Sequence, residues 1–437
     1  MSSFLKKTLS GIKVAHHKNT KDCETVVMPI PQKVSLPMLQ HMGAPCEPLV
    51  KVNDTVCVGQ LIGSSDKFMS APIHSSVSGR VAAIEEFINP LGVRTQSVVI
   101  ETDGEQRVDP SVKAPVVTNK EEFLAAIKAS GLIGLGGAGF PTHIKLNPPK
   151  PEQVDTLVIN GAECEPYITT DYREFVENGE EVLEGIGHVA RYLELKYVKI
   201  GIEDNKPEAI AKMKELCAGH EGYEVVALKS SYPQGAEKVL VYETTGRVIR
   251  EGQLPADAGV IVMNVSSVGF VARYLKTGMP LVTKRITVDG TAVAEPKNVV
   301  VPVGTHISDV MEFCGGYKKE PKLILMGGPM TGIAVYDDAF PVIKNNNAIL
   351  AFDEEFINIE PETPCIRCGR CVQACPFDLM PAALEKAYKA KDVDALKALK
   401  VNLCMECGCC SYVCPAKRNL AFTNRMAKKF LRENTSK

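Results

Sequence analysis

A chain of 437 residues is too long for one compact core and implies several domains. With 45% apolar and 23% charged residues, and 50 basic against 52 acidic side chains, it has an ordinary globular composition and no bulk charge of the kind that draws nucleic acid. Met1 to Ser10 hold no signal-peptide stretch and no run approaches the roughly 18 apolar residues of a membrane span, so the fifteen cysteines read as metal ligands or catalytic thiols of a reducing cytoplasm rather than as disulfides.

Residues 1–112 consist of short β-runs broken by Gly, Pro, Asn and Asp: PLVKVNDTVCVGQLIG, SAPIHSSVSGRVAAIEEF and SVVIETDG. They predict a small all-β domain. The order GQLIG, SSDKFMSAPI, SSVSGRV is similar to that of lipoyl-type barrel sandwiches, with Asp66 and Lys67 near the hairpin that bears the cofactor there; the expectation here is a bare scaffold, because that fold is reused without its modification. His16 and His17 have no acid or cysteine of ligand spacing beside them and read as polar surface.

Residues 113–283 change texture. EEFLAAIKAS has helical period, VDTLVIN is a buried strand, EFVENGEEVLEGIGHVARYLEL a helix and YVKIGIED a second strand, so a run of βα units with a mainly parallel sheet is expected. Gly131 to Leu146, GLIGLGGAGFPTHIKL, carries Gly134, Gly136, Gly137 and Gly139 with Lys145 close behind. Such a loop is compatible with an ordinary turn or with a cradle for a phosphate or ring; a helix precedes it, not the strand of a Rossmann fingerprint. After VDTLVIN comes Asn160-Gly161-Ala162-Glu163-Cys164-Glu165-Pro166, which puts two carboxylates at the carboxyl end of a strand, where open α/β sheets bind ligands.

Residues 284–345 return to short strands, RITVDGTAV and NVVVPVG, with one helix in HISDVMEFCGG, and predict a small β-grasp-like α+β module. In residues 346–437 the pattern C-x2-C-x2-C-x3-C-P occurs twice, at Cys365, Cys368, Cys371, Cys375 and at Cys404, Cys407, Cys410, Cys414. The two-residue gaps let three thiolates of one loop reach three irons of a cubane, while the fourth cysteine, before proline, serves the neighbouring cluster. The expected ligand sets therefore cross: Cys365, Cys368, Cys371 and Cys414 for one [4Fe–4S] cluster, Cys404, Cys407, Cys410 and Cys375 for the other. A single zinc ion would leave the second run unexplained. Cys409 is out of phase and reads as a bystander. A helix of some twenty residues, PAALEKAYKAKDVDALKALK, joins the motifs, and the tail from Lys417 to Lys437 has seven basic residues and one acid, Glu433. That tail is either a solvated basic helix or a docking element for an acidic or membrane-facing partner.

GLxGxGGAGFPTxxK followed by NxxExEP resembles the flavin- and NADH-binding subunit of respiratory complex I and of NAD-linked hydrogenases. With the N-terminal β domain, YPQGAEK at 232–238, TGRVIREGQLPADAGVIVMNV, GGPMTG at 327–332 and the doubled cysteine motif, about 400 residues resemble the NADH-side C subunits of ion-translocating ferredoxin:NAD oxidoreductase (Rnf) complexes. The resemblance implies a multidomain α/β protein that exchanges a hydride between NAD(H) and FMN and passes single electrons through two [4Fe–4S] clusters. Its partners would be other subunits, among them a ferredoxin-like iron–sulfur subunit and membrane-embedded ones, and it would sit peripherally on the cytoplasmic face of the membrane. Carried over by residue, Gly134, Gly136, Gly137 and Lys145 line FMN and its phosphate, Asn160 and Glu163 meet the flavin, and Phe140 and Glu165 meet the nicotinamide nucleotide, Glu165 as the catalytic-site carboxylate. Tyr232, Gly235 and Glu237 match a second flavin-side loop and Asn264 a third. Ala162 and Ala236 stand where complex I relatives carry acids, and the cluster motif is doubled where they have one. A diaphorase subunit of a soluble hydrogenase, and an iron–sulfur adaptor without nucleotide, are the competing readings; the intact glycines and Glu163 speak against the second.

Overall fold

The computed structural model describes residues 9, 11–357 and 360–435; most of the Met1–Ser10 stretch and Lys437 of the basic tail lie outside them. The N-terminal unit packs a four-stranded antiparallel sheet (Lys33–Pro37, Arg94–Thr102, Gly79–Ile88, Thr55–Val56) on a three-stranded one (Glu47–Pro48, Leu61–Ser64, Ile73–His74). Val34, Leu36, Val56, Ile62, Ile73, Val81, Val98 and Ile100 are wholly buried between them, as expected where each strand turns alternate residues inward. Lys67 is exposed on the connection between Leu61–Ser64 and Ile73–His74.

The central domain holds a parallel sheet of β1 (Thr156–Gly161), β2 (Tyr197–Glu203), β3 (Tyr223–Leu228) and β4 (Val260–Asn264), in the order β3-β2-β1-β4. Helices α1 (Lys120–Ala129), α2 (Thr170–Tyr192), α3 (Pro207–Leu216) and α5 (Val265–Thr277) cover one face, where Leu157 and Ile159 point; α4 (Glu237–Thr245) covers the other, with Val158, Val260 and Val262. The strands are apolar on both faces because both are covered. Helix α2 begins at Thr170, earlier than its apolar period suggests, and bends at Asn178, where Lys212 Nζ takes up the freed Val176 carbonyl at 2.6 Å.

The third unit is a six-stranded mixed sheet that draws on both sides of the expected 284–345 segment. Its order is Thr25–Val27, Lys297–Pro302, Thr283–Asp289, Ala348–Phe352, Leu323–Met326, Ile333–Val335. Thr25–Val27 is too short to read as a strand by itself and is held by parallel pairing to residues 298–300. Ala348–Phe352 is fully buried in the sheet's interior.

In the cysteine-rich unit the expected twenty-residue linking helix is two, Pro381–Lys389 and Val393–Ala398. Lys391 takes a left-handed φ of 55° and Asp392 caps the second helix through Ala395 N, so the chain stops and restarts. Leu384, Leu396, Val401, Ala427 and Leu431 form the core beneath. The tail helix, Leu420–Thr435, buries one face there and is neither free nor bare of partners. Lys417, Arg418, Arg425, Lys428 and Lys429 each pair with a carboxylate of the same unit. No helix among the described residues is long and apolar enough to cross a membrane.

Candidate functional site

The parallel sheet reverses its order between β1 and β4, and the crevice outside the carboxyl ends of two such strands is where doubly wound sheets take ligands. Asn160 and Asn264, the last polar residues of β1 and β4, are register partners across that point. Asn160 Nδ2 donates to the Gly235 carbonyl (2.9 Å) and its Oδ1 accepts from Ala162 N, which ties the 232–235 turn to the strand end. Gly235 has to be glycine: a Cβ there would stand 2.3 Å from the Ala162 carbonyl oxygen. Asn264 caps α5 through Ser266 N and donates to Asp171 Oδ2 at 2.7 Å.

The glycine-rich loop closes over this crevice. Gly134 N donates to the Phe140 carbonyl at 2.8 Å, Leu135 N to Ser267 Oγ at 3.0 Å, and Gly136 lies so near Asn264 that an added Cβ would be 3.2 Å from its side chain. Residues 136–138 are exposed, and a Cβ on Gly137 would meet nothing within 4 Å. Three donors from outside the domain hold the loop's carbonyls: Lys344 Nζ on Gly131 (2.8 Å), Asn345 Nδ2 on Gly137 (2.7 Å) and Met42 N on Gly139 (2.9 Å). Asn345 Oδ1 is buried with no partner among the described residues. An open glycine cradle lets a ring cofactor approach the backbone closely, and the unpaired Asn345 Oδ1 at its edge can accept from a hydroxyl or ring N–H of such a cofactor.

The carboxylates divide. Glu163 is buried and turned to the start of α2, accepting from Asp171 N (2.7 Å), Thr170 Oγ1 (3.3 Å) and Tyr172 N (3.4 Å); it supplies the cap that Thr169 does not. Burial raises its pKa to about 7, against the pull of Lys18. Glu165 faces the 327–331 turn: Met330 N donates at 3.0 Å and Thr331 Oγ1 at 2.5 Å, with the Tyr232 hydroxyl at 3.5 Å. Burial raises its pKa as well. Lys145 and Glu237, both expected at the flavin, pair with each other at 2.9 Å. Phe140 is half-buried at the foot of the loop.

The eight motif cysteines gather round two cavities, and the grouping crosses the sequence. Cys365, Cys368, Cys371 and Cys414 line one, open to solvent, in which Cys365 and Cys368 are exposed. Cys404, Cys407, Cys410 and Cys375 line the other. Both motif loops follow one backbone path: left-handed φ recurs at Arg367 and Glu406, at Gly369 and Gly408, and at Asp378 and Lys417, each pair offset by 39 positions like the cysteines themselves. Among the described residues no three His, Cys, Asp or Glu side chains close on a single ion position. Four thiols grouped round one cavity without closing on a single ion position fit a cubane, which needs them further apart than one zinc ion does. Cys409, out of phase with the motif, also borders this inner cavity, and its Sγ lies 3.8 Å from the Tyr232 carbonyl.

Tyr232 joins the two halves. Its side chain is buried, and its hydroxyl donates to the Cys407 carbonyl at 2.7 Å while lying beside Glu165.

Proteins of known sequence fit this arrangement. The C subunit of the proton-translocating ferredoxin:NAD(+) oxidoreductase complex of Clostridium ljungdahlii is 42% identical over 370 residues, covering 84% of this chain and 81% of that one. The C subunit of the Na(+)-translocating ferredoxin:NAD(+) oxidoreductase complex of Acetobacterium woodii is 41% identical over 403 residues, 91% of each chain. The C subunit of the ion-translocating oxidoreductase complex of Rhodobacter capsulatus is 40% identical over 400 residues, 90% of this chain and 76% of that one. The chain belongs to this family of C subunits. Its units match family models in chain order: the RnfC barrel sandwich hybrid domain over 6–105, the Nuo51 FMN-binding domain over 127–273, the SLBB domain over 285–334 and the 4Fe-4S dicluster domain over 356–415. Among solved structures, an NAD+-reducing [NiFe]-hydrogenase in the H2-reduced state is 18% identical, with a TM-score of 0.49 over 72% of this chain and 61% of that one.

Several residues of the crevice in this C-type chain carry no local sequence mark. Lys18 donates to three carbonyls of the acidic loop, Asp171 anchors Asn264, and Asn345 clasps Gly137. Met330 and Thr331 were visible only as part of GGPMTG. Of the remaining candidates, His17 stacks on Tyr167 at 4.9 Å and His16 Nε2 lies 3.2 Å from Ser230 Oγ.

Proposed function

We propose that this chain exchanges a hydride between NAD(H) and FMN at the β1/β4 crevice and passes single electrons through two [4Fe–4S] clusters, as the C subunit of an Rnf complex. The observation that carries it is Tyr232, which touches both the carboxylate assigned to the nucleotide and the loop of the inner cysteine cavity. FMN, when bound, supplies the conversion between a two-electron hydride and one-electron carriers. Gly134, Gly136 and Gly137 let the backbone come close to the ring and phosphate, and Lys145 meets the phosphate charge on leaving Glu237. Asn160, Gly235 and Asn264 form the crevice floor. Glu163 acts by fixing the start of α2, beneath the flavin side of the crevice. Glu165 and Phe140 orient the nicotinamide nucleotide, with Glu165 held by Met330 and Thr331. Cys404, Cys407, Cys410 and Cys375 hold the inner cluster, and Cys365, Cys368, Cys371 and Cys414 the outer.

Other Rnf subunits, including a ferredoxin-like one and membrane-embedded ones, are the electron partners, and the chain sits on the cytoplasmic face, where NAD(H) is found. The test is an anaerobic preparation assayed for iron, sulfide and released flavin, then mixed with NADH before and after flavin removal. About eight irons per chain, and cluster reduction by NADH only with flavin present, are expected. Rapid reduction of clusters by NADH in a preparation shown to be flavin-free would defeat the scheme; dithionite should reduce them either way.

A further inference from the structure

Before it reaches the barrel, the chain runs as a strap beneath both loops of the crevice. Ile12 pairs with Tyr232 through two backbone hydrogen bonds (2.8 and 2.9 Å), Tyr167 N donates to the His16 carbonyl (2.9 Å), and the Thr20 and Thr169 hydroxyls meet at 2.6 Å. Between these contacts Lys18 sends its ammonium into the acidic loop, where Nζ donates to the carbonyls of Glu163 (2.9 Å), Glu165 (2.8 Å) and Ile168 (2.5 Å). An ammonium has three N–H donors, and all three are used. The planar guanidinium of arginine does not offer that tripod.

The geometry has a consequence for Glu165. Residues 162–169 form no helix or strand, so no ladder of their own satisfies these carbonyls. Three carbonyl oxygens converging on one point repel one another unless a cation sits between them. The loop's path, and with it the direction of the Glu165 side chain, is therefore set by a residue about 147 positions away in the chain. Lys206 approaches only the Glu163 carbonyl, at 3.5 Å, and is engaged by Glu203, so it does not replace Lys18.

We propose that Lys18 is a positioning residue of the nucleotide site, holding the 163–168 loop so that Glu165 meets NAD(H). This rests on the assignment of Glu165 to the nucleotide made above. The test uses the full chain loaded with FMN and clusters, as Lys18→Met, Lys18→Ala and Glu165→Gln. KM and kcat for NADH with a one-electron dye, NADH affinity by calorimetry, and flavin and iron per chain are measured for each. Lys18→Met is expected to raise KM and Kd for NADH roughly tenfold, the scale of a lost charged hydrogen bond, with kcat, flavin and iron near the parent values. Partial recovery of Lys18→Ala by propylammonium at matched ionic strength supports the same role. Raised KM in Glu165→Gln beside unchanged KM in both Lys18 variants overturns the positioning role alone. Unchanged KM in Glu165→Gln overturns the nucleotide assignment and this proposal with it. Loss of flavin and iron in both Lys18 variants assigns the lysine to folding and also overturns it.

Discussion

Cys414→Ala separates a crossed cluster arrangement from a sequential one. Cys414 lies in the second motif, yet its thiol lines the cavity of Cys365, Cys368 and Cys371. Its partial exposure means that replacement removes little packing, and the turn it belongs to keeps its backbone bonds, Cys414 N to Ser411 O and Lys417 N to Cys414 O, both 3.1 Å. Apart from the cluster it releases, the replacement is therefore expected to cost the polypeptide no more than about 1 kcal/mol. Iron and sulfide should fall from about eight of each per chain to about four, one cubane's worth. The surviving cluster should be the one in the Cys404, Cys407, Cys410 and Cys375 cavity, still reducible by NADH because the Tyr232 contact is made there. Cys375→Ala should do the reverse, removing the cluster of the second motif although Cys375 belongs to the first. Iron and sulfide analysis with electron paramagnetic resonance of each reduced variant reads this directly, and transfer to the partner subunits should stop in both. If Cys414→Ala kept the signal that Cys375→Ala keeps, or lost the NADH-reducible cluster, the crossed assignment would be wrong.

Tyr232→Phe removes one hydrogen bond to the Cys407 carbonyl and should shift the inner cluster's potential by on the order of 40 mV, with flavin content and the outer cluster unmoved; a redox titration that shows both clusters at their original potentials refutes the link. Lys145→Ala should weaken FMN binding roughly tenfold, and adding Glu237→Gln should restore part of it by removing the carboxylate left unpaired, which flavin fluorescence titration checks. Lys344, wholly buried with its ammonium on the Pro72 and Gly131 carbonyls, has its pKa lowered by burial to about 7 from 10.5. Between those values the unfolded chain binds the extra proton, so the lysine's contribution to stability rises with pH across that window and is least below it. The stability difference between the parent and Lys344→Met, from urea unfolding, should accordingly grow in the parent's favour from about pH 7 to about pH 10; a difference that stays constant counts against the buried-cation account.

The parts legible in the sequence are those whose signals are local. Cysteine spacing, the turn chemistry of the β domain and the apolar runs of the βα units each depend on neighbours a few residues apart, and they identify the barrel, the parallel sheet and the cluster unit. Contacts across long separations are not written that way. Lys18 stands beside two histidines that draw more notice, and nothing near it announces three carbonyls far along the chain. Glu163 has the residue type of a ligand contact, but its surroundings make it a helix cap. Thr25–Val27 has no strand pattern of its own and exists as a strand through its partner. The split between Pro381–Lys389 and Val393–Ala398 did have a local mark, Asp392 placed three residues before Ala395, but the apolar period runs through it and hides it.

The two cysteine cavities also differ in a way that gives the proposed electron path a direction in space. The inner one is backed by Tyr232, and Gly408, on its wall, lies so close to the 327–331 turn that an added Cβ would be 2.9 Å from the Met330 carbonyl. A carrier there lies next to the crevice and is less exposed than one in the outer cavity. The outer cavity has Cys365 and Cys368 at the surface, with Ile366 69% and Met380 48% exposed beside them. Arg367, Arg370 and Arg418 line it too, and of these only Arg418 is ion-paired among the described residues, to Glu385. Exposure and nearby cations both favour adding an electron to a cluster that already carries negative charge, whereas burial opposes it. Electrons entering from the crevice therefore meet the less exposed site first and a solvated, cation-lined one second, where Cys365 and Cys368 are the exposed motif thiols among the described residues. Reversing the flow requires the partner to deliver its electron at that same outer face, so one surface serves both directions of the reaction.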